Sequence, residues 1–315
     1  MGGRAGVRTR RTDRHDSESR GRLPEPRRRR RQRRRITRWR GLADMRTLWR
    51  CVRMQNRIFW RTPVAAFFTL VFPILMLVLF TAIFGNDAFD TVYGRVNSSQ
   101  FYTPGLAVFA AASSTYTGIG INLASRRELG ILKRVRGTPL PPWAYLGGVV
   151  LSAVWIAALG VVAMVVLGVV AYGVNVEAAK VPAMVVTFAV GSASFAALGL
   201  ALASAARSVA MAVPTANATL LPLAFISNIF VPFGSETPAW LDFLGNIFPL
   251  KHFGLAFGEA MNPLSDAPAF EWHRLGVLLI WLAFGAAVAA WKFSWEPPVI
   301  SGRSSRRRRT QPAPA

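Results

Sequence analysis

The 315-residue chain has little of what soluble enzymes use: one cysteine (Cys51), three histidines, and 15 acidic residues against 38 Lys and Arg. One cysteine excludes an internal disulfide and a thiol-rich metal site. His15, His252 and His273 are too scattered to suggest ligand spacing, so no metal is expected. No Gly-x-x-x-x-Gly-Lys-Ser/Thr occurs, so no Walker A loop cradles phosphates here. Most telling is the missing charge: positions 64–84, 101–124, 143–171, 181–206 and 208–232 hold no Asp, Glu, Lys or Arg. Carriers driven by protons or ions need titratable groups within the membrane, so any energy for transport must come from outside it.

What remains is strongly apolar: 52% of residues are hydrophobic and 17% charged. Apolar runs near 64–84, 101–124, 143–171, 181–206, 209–232 and 273–293 each approach the roughly 20 residues that cross a bilayer. The first begins too deep, and runs too long, for a cleavable signal peptide. The expected fold class is therefore an all-α integral membrane protein with six transmembrane helices. Of the 38 basic residues, 22 lie in residues 1–62 and six after residue 291. With the N-terminus inside, 34 of the 38 fall on the cytosolic side, which places both termini there. The formal charge of +23 would suggest nucleic acid in a soluble protein. The run RRRRRQRRR has no interleaved aromatics to stack bases, however, so no nucleic-acid partner is expected. Residues 1–41 read as a disordered Arg-rich cytosolic tail, 42–296 as the transmembrane domain, and 297–315 as a basic, Pro-containing tail. Met45, just ahead of the first structured segment, is expected to be an alternative translation start.

Before the first span, Arg46, Arg50, Arg53, Arg57 and Arg61 recur at helical spacing, with Met45, Leu48, Val52 and Phe59 opposite them. This predicts an amphipathic helix lying in the headgroup plane in contact with membrane lipid. Small residues in GSASFAALGLALASAA permit close packing of the fourth span. The 233–272 segment is too apolar for a free loop, and its pieces are too short to span; it predicts short external re-entrant helices, with Pro238 and Pro249 as helix starts. Its acids Glu236, Asp242, Glu259, Asp266 and Glu271 read as solvated loop charges, and no catalytic constellation is expected.

RRELGILKRVRGTPLPPW, residues 126–143, places five basic side chains and one acid between two apolar runs. In helical projection Leu129, Ile131, Leu132 and Val135 share one side and Arg126, Arg127, Lys133 and Arg134 the other, with Glu128 angled toward the apolar side. Gly137, Thr138 and Pro139 then end the helix. Charge alone supports a topogenic loop. The ordered amphipathy and its terminator favour a short helix that docks on a soluble partner.

The stretch RRELGILKRVRGTPLPPWAYLGG resembles the cytosolic signature of the ABC transporter type-2 permeases, in which Glu-x-Gly, a basic pair and Thr-Pro-Leu precede the third span. LPLAFISNIFVPFGSETPAWLDFLGNIFPLKHF resembles the same family's fifth span and following loop, and the likeness covers about residues 42–296. The resemblance implies a homodimeric permease with two copies of a separately encoded ABC ATPase, which would hold ATP and Mg, so this chain needs no cofactor. It implies an ATPase-coupling role for Arg126, Arg127, Glu128, Leu129, Gly130, Ile131, Leu132, Lys133, Arg134, Arg136, Gly137, Thr138 and Pro139. Glu128 to Arg136 would form the coupling helix, assisted by the helix at about 42–61. It also implies a re-entrant segment at 234–262 that includes Pro238, Trp240, Leu241, Pro249, Leu250, His252 and Phe253. The likeness is greatest to drug and natural-product exporters of a bacterial cytoplasmic membrane. Lipid and polysaccharide exporters share the architecture. Beyond Asn122, Asn217 and Asn228 the spans offer no polar handle, and an apolar path suits amphipathic cargo; a polysaccharide exporter would instead line its path with aromatic rings, which Trp155, Phe188, Phe195 and Phe225 could supply. A membrane-anchored protein using its basic tail as a binding arm is the alternative from another class.

Overall fold

The computed structural model describes Gly2 and residues 45–232 and 238–295; the expectations for the tails 1–41 and 297–315 and for Glu236 lie outside these residues. Residues 45–60 form a helix ahead of Pro63. Six helices long and apolar enough to cross a bilayer follow: span 1 (Phe67–Phe84), span 2 (Ser98–Glu128), span 3 (Pro142–Tyr172), span 4 (Ala178–Ala205), span 5 (Val209–Ile226) and span 6 (Trp272–Lys292). Their backbone groups bond within each helix, as hydrocarbon requires. Between spans 2 and 3 lies the short helix Ile131–Arg136, and between spans 5 and 6 lie Ala239–Ile247 and Pro249–Glu259. The bundle therefore has a basic end, carrying residues 125–142, and an opposite end, carrying residues 238–271.

The architecture matches the expected all-α membrane class, with three differences. A hairpin, Ala88–Thr91 paired antiparallel with Gly94–Asn97, links spans 1 and 2. It turns through Val92 and Tyr93; Gly94, which opens the second strand, sits at φ +88, a conformation that suits a residue without Cβ. Span 5 stops at Ile226, short of the expected 232, because Asn228 adopts φ +57 and breaks the helix. Span 2 continues four residues past the last apolar position expected of it and ends on Glu128.

Span 2 is the axis of the bundle. Every residue from Ser98 to Ala112 is buried, and Phe101, Leu106 and Phe109 join Leu77, Met164, Phe195, Leu220, Phe253 and Leu278 in one core. A π-helical turn at Ser113–Thr117 interrupts it. There the hydroxyl of Ser114 donates to Ala153 O of span 3 (3.0 Å) and that of Thr115 to Ala111 O (2.7 Å). Gly199 of span 4 lies against the Thr115 and Tyr116 carbonyls, where a Cβ would come within 2.6 and 2.8 Å. Gly285 of span 6 lies as close to the backbone of Ala197 and Leu198. The small residues of span 4 thus let two neighbouring helices approach at backbone distance.

A Cβ at Gly285 would meet backbone atoms at 2.9 Å, whereas one at Gly276 meets nothing within 4 Å. Gly285→Ala is expected to destabilise the purified protein by about 1–3 kcal/mol through overpacking. Gly276→Ala should be neutral or slightly stabilising. Thermal unfolding in detergent compares the two.

Candidate functional site

At the basic end, three consecutive residues each bond a different span. Arg126 Nη1 donates to the Tyr145 hydroxyl of span 3 at 2.9 Å. Arg127 Nη2 donates to the Ala206 carbonyl, which closes span 4. Glu128 Oε2 accepts from the Val209 amide at 2.8 Å, and Ser208 accepts from Met211 N in the same turn, so both cap the start of span 5. Capping by Ser and by an acid is the ordinary answer to the free amides of a helix N-terminus. The charges also agree with the helix dipoles: a cation meets the C-terminus of span 4 and an anion meets the N-terminus of span 5.

This geometry corrects the helical projection of residues 126–135. Arg126 and Arg127 are buried at 8% and 5% exposure, not turned toward headgroups. Leu129 and Ile131, expected on the apolar side that docks on a partner, are exposed at 65% and 37%. The cause is Gly130 at φ +68, where span 2 ends in a left-handed cap and the direction of the chain changes. Two helices occupy the stretch, so a single 100° projection misplaces every side chain before the break. Beyond it Leu132 is buried at 1%, anchored among Ile119, Leu123, Tyr145 and Val149. Lys133, Arg134 and Arg136 are exposed. Gly137 N bonds to the Lys133 and Arg134 carbonyls and Thr138 Oγ1 to Val135 O, which ends the short helix where expected, ahead of Pro139.

The helix at 45–60 keeps Arg46, Arg50, Arg53, Arg57 and the adjoining Arg61 exposed. Its buried face meets protein: a Cβ on Gly147 or Gly148 of span 3 would strike Leu48 or Cys51.

At the opposite end the two short helices are present, and they differ in environment. In Ala239–Ile247 Trp240 is exposed and Leu241 half-buried, with Pro238 as N-cap. In Pro249–Glu259 Leu250, His252 and Phe253 are buried, and Pro249 occupies the first helical turn. Phe253 packs flat against Gly191 of span 4. Asp242, Glu259 and Glu271, expected as solvated charges, are engaged: Asp242 bonds to buried Lys251, Glu259 receives Asn262 Nδ2 at 3.4–3.5 Å, and Glu271 pairs with Arg274 at 3.4 Å. These residues line a polar cavity of about 330 Å³.

Several of the residues that make these contacts carry no sequence signal of their own. Tyr145 and Ala206 are ordinary apolar-run residues, and Ser208 alone, two residues after Ala206 and just before a new apolar run, reads as a cap. Tyr116, whose hydroxyl lies 2.8 Å from Thr219 Oγ1 of span 5, sits on the π-helical turn, which periodicity does not reveal.

A multi-pass bundle with a basic connecting helix at one end and paired short helices at the other defines a polytopic permease-like membrane domain. The sequence profile of the family described as ABC-2 type transporter matches residues 46–261, and the chain belongs to that family as an ABC-type permease subunit. A search of curated proteins found no match. Members of the family normally work with an ABC ATPase.

Glu128→Ala removes a cap and should lower stability by about 0.5–2 kcal/mol. Glu128→Gln, which keeps an acceptor, should lose less, and Glu128→Lys, a cation at the N-terminus of span 5, should lose most. Thermal unfolding of the three variants checks the order.

Acidity acts at the other end. Hydrogen bonding from Lys251 holds the Asp242 carboxyl below its ordinary 3.8, and burial holds the His252 imidazole below 6.5. Both groups bind fewer protons folded than unfolded, so stability is complete above those values and falls as pH drops through the depressed ones. Thermal scans should show a loss setting in below pH 6.5, and His252→Gln should flatten that first limb.

Proposed function

We propose that the chain is the membrane subunit of an ATP-driven exporter, that its basic end faces the cytosol of a bacterial cell, and that two copies work with two copies of a separate ATPase. The observation that carries this reading is the short helix Ile131–Arg136, which stands beyond span 2 with Leu129, Ile131, Lys133 and Arg134 exposed while buried Leu132, with half-buried Val135, roots it in the core. An apolar pair flanked by cations suits a partner groove with an acidic rim. ATP and Mg would be held by that partner, whose movement would reach spans 3, 4 and 5 through Tyr145, Ala206 and Val209.

A second copy of the chain is supported by the amides of Asn122 in span 2 and Asn217 in span 5, both exposed on helices that cross hydrocarbon. Such groups favour a protein or water-lined boundary over lipid. For cargo, an amphipathic drug, natural product or lipid fits better than a glycan: of the aromatic residues that would stack sugars, Phe195 is buried and Phe188 half-buried, leaving Trp155 and Phe225 exposed.

The test is capture of the tagged protein from its own membranes, with stoichiometry measured by mass spectrometry. Wild type should bring down an ABC ATPase in about equal amount. Leu129→Asp with Ile131→Asp should lose it while the protein keeps its melting temperature, since both side chains are exposed. Absence of an ATPase from well-folded wild type would overturn the proposed ATP-driven assembly.

A further inference from the structure

The arginines of the helix at 45–60 take no part in the contacts described above. Among the described residues no carboxylate pairs with Arg46, Arg50, Arg53, Arg57 or Arg61. Five like charges at three- and four-residue spacing repel one another, and counter-charge supplied from outside the bundle would relieve that repulsion. We propose that Arg50, Arg53 and Arg57, with Arg61 beyond them, bind the phosphates of anionic phospholipids in the leaflet at the basic end.

Three observations favour lipid. The arginine row points away from the bundle, because the face opposite it presses Leu48 and Cys51 onto Gly147 and Gly148 of span 3. Two residues after Arg61 a helix begins at Pro63 and leads into span 1 at Phe67, so the end of the row would sit at headgroup depth. Its flanks are not those of a surface meant for water: Met54 and Ile58 are exposed at 44% and 41% on one side, Trp49 and Trp60 at 61% and 54% on the other. Aromatic rings at that depth are ordinary anchors. A shallow groove of about 390 Å³ runs along Arg50, Arg53, Met54, Arg57, Ile58 and Arg61. Its cationic groups lie one helical turn apart, and each guanidinium fork can bind a phosphate through two parallel hydrogen bonds. The apolar side chains between them match the glycerol and upper acyl carbons.

The probe is spin-labelled phosphatidylglycerol against spin-labelled phosphatidylcholine, with the full chain reconstituted in vesicles and bound lipid read by electron paramagnetic resonance. Wild type should prefer the anionic lipid, by a factor of up to about five per engaged arginine at low salt, and less in 0.5 M salt. The R50Q/R53Q/R57Q variant should lose that preference. R27Q/R28Q/R29Q, which removes equal charge from the tail, should keep it. Equal loss in both variants would mean that net charge alone attracts lipid, and the proposal would fall. It would also fall if the helix variant kept its preference. Should the triple variant not fold, the three single Gln variants decide: each lowers the preference, or the proposal is wrong.

Discussion

A helix end leaves free amides and carbonyls that need partners. At the basic end of this bundle two of three consecutive side chains supply them, and the third bonds a neighbouring hydroxyl. Arg126, Arg127 and Glu128 are the last residues of span 2, and each completes a different neighbour: a tyrosine at the start of span 3, the last carbonyl of span 4, the first amide of span 5. Hydrogen bonds that involve a charged group contribute about 1.5–3 kcal/mol each, more than neutral ones. The position of span 2 therefore fixes the ends of three other helices.

The opposite end answers the same demand with different residues. Lys180, buried at 1%, donates to the Asn262 and Ser265 carbonyls at 2.6 and 2.7 Å and to Glu177 at 3.1 Å. Gln100, near the start of span 2, donates to Met261 O and accepts from Asn175 N. Both bind the turn after Pro249–Glu259 to the beginnings of spans 2 and 4. Buried charge is stable there because every proton on the lysine is directed at an oxygen. Span 2 is thus stapled to its neighbours at both ends, and its middle is closed by apolar packing.

The six spans were legible in the sequence because an uncharged apolar run of about 20 residues suits little besides a helix that crosses a bilayer. The exposed arginine stripe was legible because one helix carries all of it. The clamp formed by Arg126, Arg127 and Glu128 was not, since the apolar run stops at Ala124 while the helix persists to Glu128, and hydropathy reports only the former. Reading Arg126 and Arg127 as surface charge follows from taking residues 126–135 as one helix; Gly130, three residues before the basic cluster of the short helix, was the signal for two. The hairpin at 88–97 also left a trace, alternating residues around Tyr93 and Gly94, too short to stand out beside much longer helical runs.

Span 5 is the element that the clamp leaves most freedom. It carries Pro214 and Pro222 within the helix, and buries chiefly the stripe Ala212, Ala216, Leu220 and Ala224. Its far end stops near Asn228, which takes the left-handed conformation at φ +57. Span 4, by contrast, is locked to spans 2 and 6 at backbone distance through Gly199 and Gly285. The close packing lies in spans 2, 4 and 6, and span 5, a less buried helix that carries two prolines, joins span 2 through Glu128. On the function proposed here, force from an ATPase would enter through Leu132 and the clamp, and span 5 would yield first. The capping bonds at Val209 and Met211 then serve both stability and movement, because they hold the start of span 5 while the rest of that helix shifts.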